Sequence, residues 1–292
     1  MLKEVCEAIN SIDALIKVEV INKVTYFNSD EILDIYCAYK THDGKKACYS
    51  YPEMVTFSFI SFLKYFESVE DVEKLESDKL AEYVILWLSY KIHQHQHNNI
   101  ITLKDFYDNY LKGNDKYNEE INGNTDNKID KGLIDKKINS MAIDIKEMSK
   151  YYDPFKSLCN MYNEFDGNNS DCKKCSQKAN EFVENYKKLN GDSGIDKDSP
   201  YYRVLCTLSN DYNNLKSKCS DFQTLPPIKI AQSYVQDSRQ SSLQTYDGTS
   251  SSSSIANTLI PVLSIFVAIP VFLGISYSIH YLELINGSKD NI

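Results

Sequence analysis

Between Asp247 and Glu283 the sequence has no Asp, Glu, Lys or Arg. The apolar part of this stretch, residues 255–279, reads IANTLIPVLSIFVAIPVFLGISYSI. Roughly 20 apolar residues at 1.5 Å rise cross the ~30 Å hydrocarbon core of a bilayer, so the run predicts one membrane-spanning helix, placed at 255–281. Pro261, Pro270 and Gly274 would interrupt a soluble helix. In a bilayer the backbone must still bond to itself, and such residues are kept as kinks. A buried core helix seldom runs this far without a charge.

Other absences narrow the reading further. The opening MLKEVCEAINSIDALIKVEV has acidic residues throughout and no apolar run of about 7 to 15 residues, which excludes a secretory signal of the usual form there. Targeting is therefore expected to use the span itself or a signal of another form. Basic excess is also lacking: 32 Lys and Arg stand against 41 Asp and Glu, for a net charge of -9 and a pI near 5.1. That excludes the broad positive field that attracts nucleic acid. Lys289 is the one strong cation after the span and Arg239 the nearest before it, so local charge does not set the orientation. No P-loop, GxGxxG or HExxH pattern occurs. No catalytic residue, cofactor or metal is expected. No segment alternates as a strand of any length should, and the expected fold class is all-α.

What is present is helical periodicity. Met54, Val55, Phe57, Phe59, Ile60, Phe62, Leu63 and Phe66 follow Pro52, and Leu80 to Tyr90 are apolar nearly all round, as core helices are. Ile134, Ile138, Met141, Ile145 and Met148 form one stripe spaced four, three, four and three. Asp153-Pro154 and Ser199-Pro200 each read as an N-cap followed by proline at the first helical position. Composition changes divide the chain into an N-terminal helical subdomain at 1–112, an Asn/Asp-rich exposed loop at 113–132, and a C-terminal helical subdomain at 133–219. A polar, Ser-rich flexible stalk at 220–254, the span at 255–281 and a short tail at 282–292 complete it. About 35 stalk residues would reach on the order of 30 Å.

Three tempting motifs fail on chemistry. In the Asn/Asp loop, counting a calcium site from Asn122 puts Asn127 where the tight turn needs Gly and Leu133 where the bidentate Glu belongs. Gly191-Asp192-Ser193-Gly194 matches a serine-protease nucleophile signature, but here it lies between two helices rather than in a β-barrel. His93, His95 and His97 would share a face on a strand, yet they end a helix and do not converge.

The eight cysteines carry more information. Cys172 and Cys175 begin one helix, the helix from Pro200 ends at Cys219, and the turn at 191–199 folds the two together. Cys172 then faces Cys219, with Ala179 opposite Tyr212 and Phe182 opposite Leu208. A bridge from Cys172 or Cys175 to Cys219 is the leading disulfide. Cys6, Cys37 and Cys48 precede the Asn-rich loop, whereas Cys159, Cys172, Cys175, Cys206 and Cys219 follow it. Each side holds an odd number, so full pairing requires a bridge between them. A zinc site of Cys172, Cys175 and Cys206 or Cys219 competes, but the other cysteines are spread too widely for one metal centre.

The stretches AEYVILWLSYK at 81–91, Cys172-Lys173-Lys174-Cys175, Ser199-Pro200-Tyr201-Tyr202 before Cys206, Leu225-Pro226-Pro227, and the Ile260-Pro261-Val262-Leu263 start of the span stand out together. As a set they resemble the Plasmodium interspersed repeat (PIR) variant antigens, the Yir/Cir/Bir and Vir proteins. They cover the chain from Ala81 to Tyr277 in order. The resemblance implies a helical, cysteine-bearing ectodomain with one membrane helix, at the infected red-cell surface or on a parasite-derived membrane, the large domain exoplasmic. It implies adhesion or immune evasion, with a host receptor or antibody as unidentified partner besides the bilayer. The alternative is a resident of a parasite-derived internal membrane that supports trafficking or remodelling. The sequence departs from the family in its tail, YLELINGSKDNI, where relatives carry a basic cytoplasmic segment, and it is less typical from Met1 to Glu53.

Overall fold

Leu2, Val5, Cys6, Ala8, Ile9 and Ile12 recur at helical spacing and are all buried, which makes Leu2–Asp13 an amphipathic helix, α1. The computed structural model describes residues 2–231 except 23, 31, 32, 34, 35, 38, 41–43, 45, 49, 69–76, 96–99, 122–129, 141, 142, 166–168, 192 and 193. Two helices that are apolar nearly all round follow, α2 (Tyr51–Ser68) and α3 (Ser77–Gln94). Phe59, Phe62, Phe66, Trp87 and Leu88 are fully buried on them. Their buried hydroxyls bond within the helix: Thr56 donates to the Pro52 carbonyl at 2.7 Å and Ser89 to the Ile85 carbonyl at 2.8 Å.

The chain is not all-α. Strands β1 (Ile16–Ile21) and β2 (Val24–Ser29) pair antiparallel from Ile16 opposite Ser29 to Ile21 opposite Val24. Asn22 opens the two-residue connection with φ 52°, a left-handed conformation that Asn tolerates. Phe27 plugs the inner face, its ring 4.4 Å from that of Tyr51 and 4.6 Å from that of His95. β-branched residues on both sides of an Asn turn are the signal that the helical reading passed over. A second, two-residue ladder joins β3 (Tyr39–Lys40) to β4 (Lys46–Ala47).

The stretch expected as an exposed loop from residue 113 is in part helical. Helix α4 (Leu103–Phe106) continues as a π-turn over Tyr107–Leu111, and α5 occupies Asp115–Glu120. Asn114 caps α5 by accepting from the Tyr117 amide at 3.1 Å, and Tyr117 and Ile121 are fully buried. Tyr117 packs by Phe59 and donates to Asp135 at 2.6 Å, so the polar composition hid two core residues.

The single stripe expected from Ile134 to Met148 is two helices, α6 (Lys131–Ser140) and α7 (Ile145–Ser149). Asp144 ends the periodicity. It bridges to Thr102, flanked by bonds from Leu103 N to the Ile143 carbonyl and from Ile145 N to the Ile101 carbonyl, both 3.0 Å. Its carboxylate then caps α7 at the Glu147 amide. Three longer helices complete the unit: α8 (Tyr152–Glu164), α9 (Asn169–Asn190) and α10 (Pro200–Lys216). Ser199 caps α10 with proline in its first turn, whereas α8 starts before Asp153, with Tyr151 at its cap position.

Helix α8 is the hub, with α9, α1 and α10 packed on it, while α3 lies against α7, α6 and α2. Elements from both sides of 113–132 therefore share one compact unit, Met1–Val235. The polar segment expected as stalk from residue 220 is packed as far as its described residues go: Phe222 is buried, and bonds reach from α9 to Pro226 and Pro227. Among the described residues no helix is long and apolar enough to cross a membrane. The span at 255–281, the tail at 282–292 and the stalk from 232 onward lie outside them.

Candidate functional site

Three disulfides frame the unit. Cys6 on α1 joins Cys159 on α8 with Cα atoms 5.2 Å apart, linking residues on the two sides of the Asn-rich stretch. Cys37 joins Cys48, Cα atoms 4.8 Å apart, across the β3–β4 ladder. Cys172 at the start of α9 joins Cys219 beyond the end of α10, Cα atoms 5.4 Å apart. Between α9 and α10, Phe182 stacks on Tyr212, ring centroids 4.6 Å apart and planes 5° apart.

Of the eight candidate cysteines, six are bridged, while Cys175 and Cys206 are thiols. Cys175 is fully buried one turn beyond Cys172 and faces α8, where its Sγ donates to the Met161 carbonyl at 3.5 Å. Cys206 lies 10 residues before the end of α10, about 15 Å along it at 1.5 Å per residue, and Cys219 lies beyond that end. Cys206 sits beside Tyr202, whose phenol its hydrogen bond holds above the usual range. With Cys172 engaged and Cys206 remote, the proposed zinc ligands do not converge. Among the described residues no group of three His, Cys, Asp or Glu side chains could hold a metal ion.

Two aspartates that the sequence reading missed organise the interior. Asp211, 2% exposed, accepts from Lys79 and Tyr83 through its carboxylate, while its carbonyl accepts from Tyr162 at 2.9 Å. Asp13, at the end of α1, accepts from Trp87 Nε1 at 2.9 Å and Tyr152 Oη at 3.1 Å and pairs with Lys91 at 2.9 Å. Burial first, and then these carboxylates, push the Tyr83 and Tyr152 phenols well above their ordinary value. Burial alone raises Tyr212 to about 12. One signal was available: Asp211 falls on the apolar stripe of Leu208, Tyr212 and Leu215, where an acid needs partners.

His93 ends α3 and His95 packs edge-on against Tyr51, while His97 lies outside the described residues. Gly191 and Gly194 both have positive φ, 51° and 75°, as a tight helix-to-helix connection needs, and Asp192 and Ser193 lie outside the described residues. A recess of about 390 Å³ between α8 and α9 is lined by Asp153, Lys156, Ser157, Asn160, Glu181 and Asn185, which offer neither a thiol nor an imidazole.

The sequence model of one family, described as Plasmodium variant antigen protein Cir/Yir/Bir, matches residues 6–278. The chain belongs to this family. A solved Plasmodium PIR protein ectodomain is 34% identical to this Cir/Yir/Bir chain and superposes with a TM-score of 0.56. The match covers 79% of this chain and all of that one. No curated protein matches. The helical, disulfide-bonded unit is thus a PIR-type fold, and the family it carries is one of variant antigens.

Proposed function

We propose that this chain is a membrane-anchored variant antigen that presents its disulfide-bonded unit to the host, in adhesion or immune evasion, without catalysis. The observation that carries the reading is an order along the chain. A unit similar over its length to a PIR ectodomain precedes a polar, Ser-rich stretch and then a charge-free apolar run at 255–281. That run is long enough to span a bilayer. An antigen needs a surface that can vary on a core that does not. Here the buried aromatics, the aspartate hubs and the bridges hold the core, which leaves outward positions free to change.

The test is an antibody raised against residues 113–132, applied to intact infected red cells without permeabilisation, with thiol mapping of the same material. Surface labelling with six cysteines blocked as disulfides supports the exposed antigen. Labelling only after permeabilisation, with those cysteines reduced, replaces it with the internal-membrane role.

A further inference from the structure

After α10 the chain does not leave the unit but runs back along α9. The sequence dictates an extended course: Pro226 fixes its own φ and confines Leu225 to extended conformations, and Pro227 does the same to Pro226. Neither proline has an N–H, so a segment bonded there through its carbonyls leaves no donor stranded. Tyr186 Oη donates to the Pro226 carbonyl at 3.3 Å and Asn190 Nδ2 to the Pro227 carbonyl at 2.9 Å. Asn190, 2% exposed, uses its other amide atom as well, its Oδ1 accepting from Lys229 N at 2.7 Å. Beyond α9, Ile195 N donates to the Lys229 carbonyl at 2.8 Å, and Ala231 N donates to the Ile195 carbonyl at 3.0 Å.

This closure depends on one glycine. At Gly194, φ +75°, an added Cβ would lie 2.7 Å from Ala231 N and from the Ile230 carbonyl carbon, with backbone rather than a yielding side chain in the way. The other end of the segment is fixed covalently, since Cys219 is bonded to Cys172. From Cys172 to Asn190 is 18 residues of helix, about 27 Å at 1.5 Å per residue.

We infer that residues 222–231 are a releasable strap that sets which end of α9 the rest of the chain departs from, with Cys172–Cys219 as its stop. Closed, the strap sends the chain out beside Ile195. Open, the next fixed point is Cys219, at the opposite end of α9. Besides these hydrogen bonds, and those from Tyr212 Oη to the Gln223 carbonyl and from Gln223 Nε2 to Asn180 Oδ1, the strap packs through Phe222 and the half-buried Leu225 and Ile228, whereas α9 and α10 bury Phe182, Tyr186, Leu208 and Tyr212. Segments with few buried contacts open first. The disulfide confines that opening, because α10 cannot follow the strap past Cys219. The strap does not rest on the anchored reading.

Amide hydrogen exchange on the full chain in lipid nanodiscs tests it. The amides of Ile195, Lys229 and Ala231 are expected to exchange ahead of those of Phe182 and Leu208. Gly194→Val should speed the first group at least about tenfold and leave the second unchanged. Lys229→Pro, which removes a strap donor at an exposed position, should do the same and serves if Gly194→Val fails to fold. Cys172→Ser with Cys219→Ser should let the fast exchange spread to Leu215. One common rate for strap, α9 and α10 in every variant would overturn the proposal. A failure of 255–281 to insert into lipid would leave these relative rates intact, so the two readings fail separately.

Discussion

Lys79 on α3 and Asp211 on α10 form an ion pair across 132 residues of sequence, the aspartate side chain 3% exposed. Tyr83 donates to the second carboxylate oxygen, and Tyr162 on α8 donates to the Asp211 carbonyl, so one residue ties three helices together. Asp211→Ala should lower unfolding stability by about 3–5 kcal/mol, because it leaves a buried ammonium unpaired. Asp211→Leu combined with Lys79→Met and Tyr83→Phe should recover most of that loss, since neither buried donor side chain is then left unpaired. Urea melts of the three proteins measure it, and a loss under about 1 kcal/mol in the single variant would show that water reaches the pair.

The bridges should rank by the loops they close. Cys6–Cys159 spans 153 residues, Cys172–Cys219 spans 47 and Cys37–Cys48 spans 11. In the chain-entropy picture their losses are about 5, 4 and 3 kcal/mol respectively. Paired Cys→Ala variants compared by denaturant unfolding give the order. A reversed order would mean that local strain or denatured-state structure outweighs loop closure.

Alkaline pH should unfold the protein through its buried phenols. Burial and then an aspartate raise Tyr83, Tyr117 and Tyr152 above the usual 10.0. The folded state therefore keeps protons that the unfolded state releases. Their stabilising contribution is complete below pH about 10 and falls above it by about 1.4 kcal/mol per pH unit for each phenol, until the folded value is reached. Tyrosinate absorbance followed with circular dichroism should show an exposed class ionising near 10 and a buried class ionising only with loss of helix. Ionisation of every tyrosine near 10 with the helices intact would contradict this.

Alkylation of the native, unreduced protein should modify Cys206, which is partly exposed, and spare Cys175, which is buried against the Met161 carbonyl. Cys175 should react only on denaturation. Mass mapping of the labelled peptides decides it, and prompt labelling of Cys175 would mean that α8 and α9 separate readily.

Where local pattern and packing coincide, the sequence was readable. The helices carrying Phe59 and Trp87, the Ser199 cap and the facing of Cys172 with Cys219 follow from period, capping chemistry and turn length. The hairpin at 16–29 was missed because its signal lies in β-branching and one Asn turn rather than in a long alternation. Tyr117 was lost in a polar stretch because burial there depends on Phe59 and Asp135, which are remote in sequence. The course of 222–231 was invisible for a related reason: an extended segment has no period of its own, and its partners, Asn190 and Ile195, belong to other elements.

The bridges Cys6–Cys159 and Cys172–Cys219 follow one another along the chain without overlapping. The shortest covalent route from α1 to Ala231 therefore crosses each sulfur–sulfur bond and uses only residues 159–172 in between. Insertions or deletions anywhere between Cys6 and Cys159 leave that route the same length. In a family of variant antigens, most of the chain can thus change its loops while the tether between the first helix and the point of departure keeps its span.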